Sequence, residues 1–124
     1  MTEPRKPADR PRLHDDLRGI VRGDLLFDDH SRTLYATDAS LFEIEPLGIV
    51  APLDEADVCA LVRYAVEHQV PLVPRGAGTG LAGEALGEGL IVDLSRHLRA
   101  IVEIGPEHVR VQPGVTAQTL ATTL

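Results

Sequence analysis

Cysteine, lysine and aromatic residues are scarce in this chain of 124 residues, which has one Cys, one Lys, two Tyr, two Phe and no Trp. A lone cysteine, Cys59, excludes an internal disulfide and any metal or iron–sulfur centre built from this chain's own thiolates. With aromatics at 3%, the core must be aliphatic and no aromatic platform exists for stacking nucleic-acid bases. A formal charge of −7 argues further against a nucleic-acid partner, because such binders usually carry a basic surface. No apolar run approaches the roughly 20 residues of a membrane-spanning helix. The segment Met1–Arg12 has no apolar signal region, so a cytoplasmic location is expected. His14, His30, His68, His97 and His108 are scattered without metal-ligand spacing, and neither a metal site nor a catalytic histidine is expected from them.

What the chain does have is glycine in one place. Val73-Pro74-Arg75-Gly76-Ala77-Gly78-Thr79-Gly80-Leu81-Ala82-Gly83 follows a short apolar run and holds four glycines within eight positions. Glycine admits backbone conformations closed to other residues and leaves room for a ligand to approach the main chain. Successive amide N–H groups in such a loop form a concave site for an anion. A diphosphate is the natural guest, which makes a nucleotide cofactor the first expectation. Distant carboxylates do not forbid it, since charges are screened beyond about 8 Å at physiological salt.

The length fits a single small domain, and the hydrophobic (44%) and charged (25%) fractions are ordinary for a globular protein. Met1–Arg12, rich in Pro and Arg, reads as a disordered tail, and residues 13–45 as a helical and irregular lead-in. Within the lead-in, Leu13–Arg22 places Leu13, Leu17, Ile20 and Val21 at helical spacing. The adjacent carboxylates Asp15–Asp16 and Asp28–Asp29 are expected to be solvated. Gly48–Ala51 reads as a buried strand ended by Pro52. Asp54 caps a helix over Glu55–His68, whose Val58, Leu61, Val62, Ala65 and Val66 predict one buried stripe, with Cys59 packing at its border and Pro71 ending it. Leu72–Pro74 is the next strand, so the three elements predict a βαβ unit with parallel strands. Leu90–Leu94 is a third strand. Ala100–Ile104 and Val109–Val111 flank a turn at Gly105-Pro106-Glu107 and predict a hairpin. Thr116 caps a final helix over Val115–Leu124, and a chain that ends inside an amphipathic helix is expected to be a fragment of a longer domain.

Three nucleotide sites compete for the glycine loop. A P-loop needs Lys followed by Ser or Thr after its glycines, and the chain's one lysine is Lys6. Gly78-Thr79-Gly80-Leu81-Ala82-Gly83 matches the Rossmann pattern G-x-G-x-x-G, but only Glu84–Glu88 separates it from the next glycine-flanked strand, leaving no room for the required helix. The third is a flavin site. The run PLVPRGAGTGLAGEALGEGLIVDLSRHLRAIVEI followed by VRVQPGVT, preceded by YATDASLFEIEPLGIVAPLDEADVCALV, closely resembles the FAD-binding domain of the p-cresol methylhydroxylase and vanillyl-alcohol oxidase superfamily. Within it the similarity is to the branch with glycolate oxidase flavin subunits and D-lactate dehydrogenases, including members fused to a ferredoxin-like iron–sulfur module. It covers roughly Leu34 to the C-terminus.

The resemblance implies an α+β fold of the PCMH type, with residues 46–124 as the incomplete first part of that FAD-binding domain. It implies that FAD is held around Pro74, Arg75, Gly76, Ala77, Gly78, Thr79, Gly80 and Leu81, with backbone amides on the pyrophosphate, and near the Pro113-Gly114 corner. Some roles stay open. Arg75 either adds positive charge or packs against the domain, and Thr79 either donates its hydroxyl to phosphate or holds the turn through its own backbone. Pro113-Gly114 either approaches the flavin or is a simple turn. Asp93 and Ser95 are expected to fix the end of their strand. Thr79 stands where some members carry a flavin-linked histidine, so FAD is expected to be non-covalent. A full-length relative would oxidise a small 2-hydroxy acid of the D-lactate or glycolate type and pass electrons to an iron–sulfur module or a quinone. No catalytic residue is expected before Leu124, and this fragment alone is expected to be inactive. A truncated non-catalytic remnant, or a cell-wall precursor reductase of the UDP-N-acetylenolpyruvoylglucosamine type, are the alternatives.

Overall fold

A four-stranded sheet carries the glycine loop at one of its ends. The structure, a computed structural model, describes residues 9–124. Strand β1 (Asp24–Leu26) runs antiparallel to β2 (Gly48–Ala51), and both β2 and β3 (Leu72–Arg75) run parallel to β4 (Leu90–Asp93). The spatial order is β1-β2-β4-β3, so β4 lies between the two strands of the expected βαβ unit. The strands are parallel as anticipated, but they are not neighbours. Every residue of β2 and β4 is buried, as expected for central parallel strands covered on both faces. In the register Ile49 opposes Ile91 and Val50 opposes Val92, so alternate pairs point to opposite faces. Strand β3 is an edge, the position where Pro74 can sit without removing a ladder hydrogen bond.

Helix α1 (Arg10–Arg18) starts at Asp9, whose carboxylate accepts from the Arg12 amide at 3.2 Å, with Pro11 in a first turn that does not need its amide hydrogen. This corrects the disordered tail expected over residues 1–12. Arg10–Arg12 are helical, and the Arg10 guanidinium donates to the Leu47 carbonyl at 3.1 Å and the Phe27 carbonyl at 2.8 Å. The rest of that expectation, residues 1–8, falls outside the described residues. The helix expected over Leu13–Arg22 ends at Arg18; Val21 is buried beyond it, while Ile20 is exposed. A short helix α2 (Asp29–Leu34) follows β1. Asp28 is exposed, as expected of a solvated carboxylate, and also serves as its N-cap, accepting from the Ser31 amide at 3.0 Å and hydroxyl at 2.7 Å.

Helix α3 (Glu55–His68) has the expected bounds and cap, with Asp54 accepting from the Asp57 amide at 3.0 Å. Its end is set by Gln69 in the left-handed conformation (φ 55°), ahead of Pro71. The buried face differs from the predicted stripe. Leu61 and Ala65 point inward, but so do Asp57 and Tyr64, whereas Val62 and Val66 are exposed at 45% and 75%. The helix is rotated because the Tyr64 ring buries more surface than either valine and its hydroxyl donates to Asp16 at 2.6 Å, which also makes Asp16 a partnered carboxylate. Cys59, expected at the packed border, is exposed. Leu13, Leu17 and Val21 meet Leu61 and Tyr64 on the face of the sheet formed by Val50, Leu90 and Val92.

Strands β5 (Ile101–Ile104) and β6 (Val109–Val111) form the expected hairpin as a separate antiparallel pair, irregular between Ile101 and Glu103. Helix α4 (Ala117–Thr123) follows with Thr116 as its N-cap, the side chain accepting from the Thr119 amide at 3.1 Å. Helices and a mixed sheet in these proportions make an α+β domain. Among the described residues no helix is long and apolar enough to cross a membrane.

Candidate functional site

The glycine loop leaves the sheet at the C-terminal ends of its parallel strands, where Arg75 of β3 is the register partner of Asp93 of β4. Open α/β sheets bind ligands at that end. The residues from Gly76 to Gly89 form turns and bends with no helix, as the short spacing required. Gly78 has φ of +69° and Gly83 of +79°, both in the left-handed region. The Gly78 carbonyl accepts from the Ala39 amide at 3.0 Å, which ties the loop to the segment ahead of the domain. Among the described residues, no amide from Gly76 to Leu81 donates a hydrogen bond to another protein group. Unpaired backbone donors in a row are what an anion needs. A Cβ added at Gly76 would meet nothing within 4 Å, so this position borders open space that a side chain would enter.

The other expected residues fall in three groups. Thr79 and Leu81 are exposed. Pro74 is exposed on the edge strand. Pro113 and Gly114 lie at the same end of the sheet but against a different segment. The Gly114 amide donates to the Leu98 carbonyl at 2.8 Å, and a Cβ there would sit 2.6 Å from that same oxygen. Glycine is needed at this corner for backbone to pass backbone, and no hydrogen bond joins the corner to the glycine loop among the described residues.

Sequence reasoning missed the lead-in's role in holding the loop. The Arg75 guanidinium lies 5.1 Å from the centre of the Tyr35 ring and donates to the Tyr35 carbonyl at 3.4 Å. A Cβ on Gly78 would lie 2.8 Å from Arg75 Nη2, so the cation sits directly against the loop. The Tyr35 hydroxyl donates to Asp93 Oδ2 at 2.5 Å, while Asp93 Oδ1 accepts from the Ser95 amide at 2.9 Å and hydroxyl at 2.6 Å. Phe42 packs its ring against Gly83. Leu34, Tyr35, Arg75, Gly76, Ala77, Asp93 and Ser95 line one cavity of about 290 Å³. Burial, then the hydrogen bond to Asp93, pushes the Tyr35 phenol up to about 12. The Ser40 hydroxyl, with a smaller contribution from the Arg75 cation, holds Asp38 below the ordinary carboxylate value, although burial opposes this. Glu84 leans over Gly80, its Oε2 accepting from the Ala82 amide at 3.1 Å.

A free amide row, a cation against it and open space at Gly76 fit the diphosphate of a dinucleotide cofactor. The family model described as "FAD binding domain" matches residues 46–124, more than half of the chain. The chain belongs to this FAD-binding family. FAD is therefore the cofactor of the domain, and the glycine loop lies within the matched residues. The chain is 41% identical over 91% of its length to a D-2-hydroxyglutarate dehydrogenase of Pseudomonas putida, of which it spans 12%. It is 38% identical over 77% of its length to the glycolate oxidase subunit GlcD of Bacillus subtilis, of which it spans 22%. The solved structure of p-cresol methylhydroxylase with substrate bound superposes with a TM-score of 0.71 at 19% identity, covering 91% of this chain and 24% of that one. That likeness establishes the PCMH-type fold. This is an FAD-binding domain related to those of flavin-dependent dehydrogenases and oxidases.

Proposed function

We propose that the amides of Gly76–Leu81, with the Arg75 guanidinium beside them, hold the FAD pyrophosphate without a covalent link, in a protein that oxidises a D-2-hydroxy acid. The observation that carries the reading is the run of undirected loop amides against a cation that forms no ion pair among the described residues. Each charge-assisted bond from such an amide contributes about 1.5–3 kcal/mol. In this reading the exposed Thr79 hydroxyl adds one more. When bound, the flavin supplies the two-electron redox chemistry, while the chain described here binds and orients its phosphate end. The hydroxy-acid class is supported by the similarity to D-2-hydroxyglutarate dehydrogenase and to a glycolate oxidase subunit. A dicarboxylic 2-hydroxy acid is preferred over glycolate because identity reaches 41% to a D-2-hydroxyglutarate dehydrogenase against 38% to a glycolate oxidase subunit.

Gly76→Val in the intact protein tests the cradle. A side chain there meets open space, so folding should be unaffected while the pyrophosphate is excluded. The expected result is a folded, colourless protein that no longer takes up FAD. A Gly76→Val protein with normal flavin content would show that the cofactor's phosphates lie elsewhere.

A further inference from the structure

We propose that Tyr35 is a positioning residue for the glycine-loop site, holding Asp93 and Arg75 apart so that the Arg75 cation serves a bound diphosphate. This inference rests on the cradle reading and extends it to a residue outside the matched family region. Arg75 and Asp93 end adjacent parallel strands as register partners, and side chains so placed on strands about 4.8 Å apart are within reach of a direct ion pair. No such pair forms among the described residues. The reason is visible in the partners of Asp93, which is only 4% exposed. One oxygen is taken by Ser95 twice, and the other by the Tyr35 hydroxyl at 2.5 Å. The same tyrosine offers its ring face to the guanidinium at 5.1 Å and its carbonyl at 3.4 Å, turning the cation toward Gly78. A guanidinium already neutralised by a carboxylate would present little net charge to a phosphate, and this chain has few cations to spare at net charge −7.

The test uses the intact protein, stripped of flavin and titrated with FAD at low and moderate salt. Tyr35→Phe keeps the ring but frees Asp93 to capture Arg75, and should weaken FAD binding about tenfold, equivalent to about 1.4 kcal/mol. It should also reduce the salt dependence of binding, because one cation no longer engages the phosphates. Adding Asp93→Asn to Tyr35→Phe removes the competing charge and should restore affinity to within about threefold of wild type. A purely structural loss at Tyr35 would not be rescued in this way. Equal FAD affinity for wild type and Tyr35→Phe, or a double variant as weak as the single one, overturns the inference while leaving the cradle standing. A wild-type protein that takes up no FAD overturns the cradle itself. If Tyr35→Phe fails to fold, the Arg75→Ala background decides: there Asp93→Asn should leave FAD affinity unchanged, and a large change would overturn the proposal.

Discussion

Asp57 Oδ2 accepts a hydrogen bond from the Gly23 amide at 2.8 Å, joining the start of β1 to the first turn of α3 across 34 residues. The same carboxylate accepts from the Leu53 amide at 2.9 Å and the Arg22 amide at 3.0 Å, and Asp57 is only 2% exposed. A buried acid on the inward face of a helix is thus the knot between the lead-in and the matched domain.

Asp57→Ala leaves these donors without an acceptor. A buried donor left unmade costs about 1–3 kcal/mol, so a destabilisation of about 2–4 kcal/mol is expected. Urea unfolding of the intact protein checks it, and a loss below about 1 kcal/mol would mean that water replaces the carboxylate.

Acid sensitivity follows from the same group. Burial alone would raise the Asp57 pKa, but the amides of Arg22, Leu53 and Gly23 prevail and hold it below the ordinary 3.8. With the folded pKa below the unfolded one, its stabilisation is complete above about pH 4 and is lost as the pH falls through the folded value. Asp57→Asn should therefore flatten the stability profile below about pH 4 relative to wild type, read from thermal midpoints across the acid range.

At the alkaline end the two tyrosines act in the opposite sense. Burial, followed by hydrogen bonds to Asp93 and Asp16, pushes both Tyr35 and Tyr64 up to about 12. Their folded pKa values lie above the unfolded value of about 10, so this stabilisation is full below about pH 10 and lost as the pH rises toward 12. Tyrosinate absorbance should stay low in the folded protein through pH 10 and rise together with unfolding. Early titration of both phenols would contradict the two half-buried hydrogen bonds.

Gly78→Val places a β-branched side chain at φ +69° and against Arg75. That conformation is a strong outlier for such a residue and costs at least about 1–2 kcal/mol. FAD retention should be abolished, with far-ultraviolet circular dichroism near normal. Full flavin content in this variant would argue against the loop as cradle.

Glu84 leans over the loop at Gly80 and is bonded to the Ala82 amide. Its charge opposes an incoming diphosphate and it competes for space. Glu84→Gln should tighten FAD binding by roughly threefold at low salt and less at high salt, where screening already weakens the repulsion. Fluorescence titration of the flavin-free protein measures both. Unchanged affinity at low salt would place the phosphates away from Gly80.

Local signals were strong where a residue type answers to its immediate neighbours. Asp54 as a cap, Thr116 as a cap and the turn at Gly105-Pro106 all depend on contacts within about four residues, and the structure has them in place. The glycine loop was legible for the same reason, since its spacing from the next strand left no room for a helix. The inward face of α3 was not, because the valine periodicity is a local pattern. What turns Tyr64 inward is Asp16, 48 residues away. Cys59 and Val62 ended outside with that rotation.

The amino-acid order by itself determined the α3 helix with its Asp54 cap, the Thr116 cap, the strands that flank α3 and the presence of the glycine loop, since these follow from residue patterns along the chain. Only the tertiary structure decided that β4 slots between β2 and β3, and that Tyr35 reaches Asp93 over 58 residues. It likewise decided that Arg75 turns to the loop. Such pairings are chosen by competition among distant side chains for burial and hydrogen bonds, and no local pattern encodes which competitor wins.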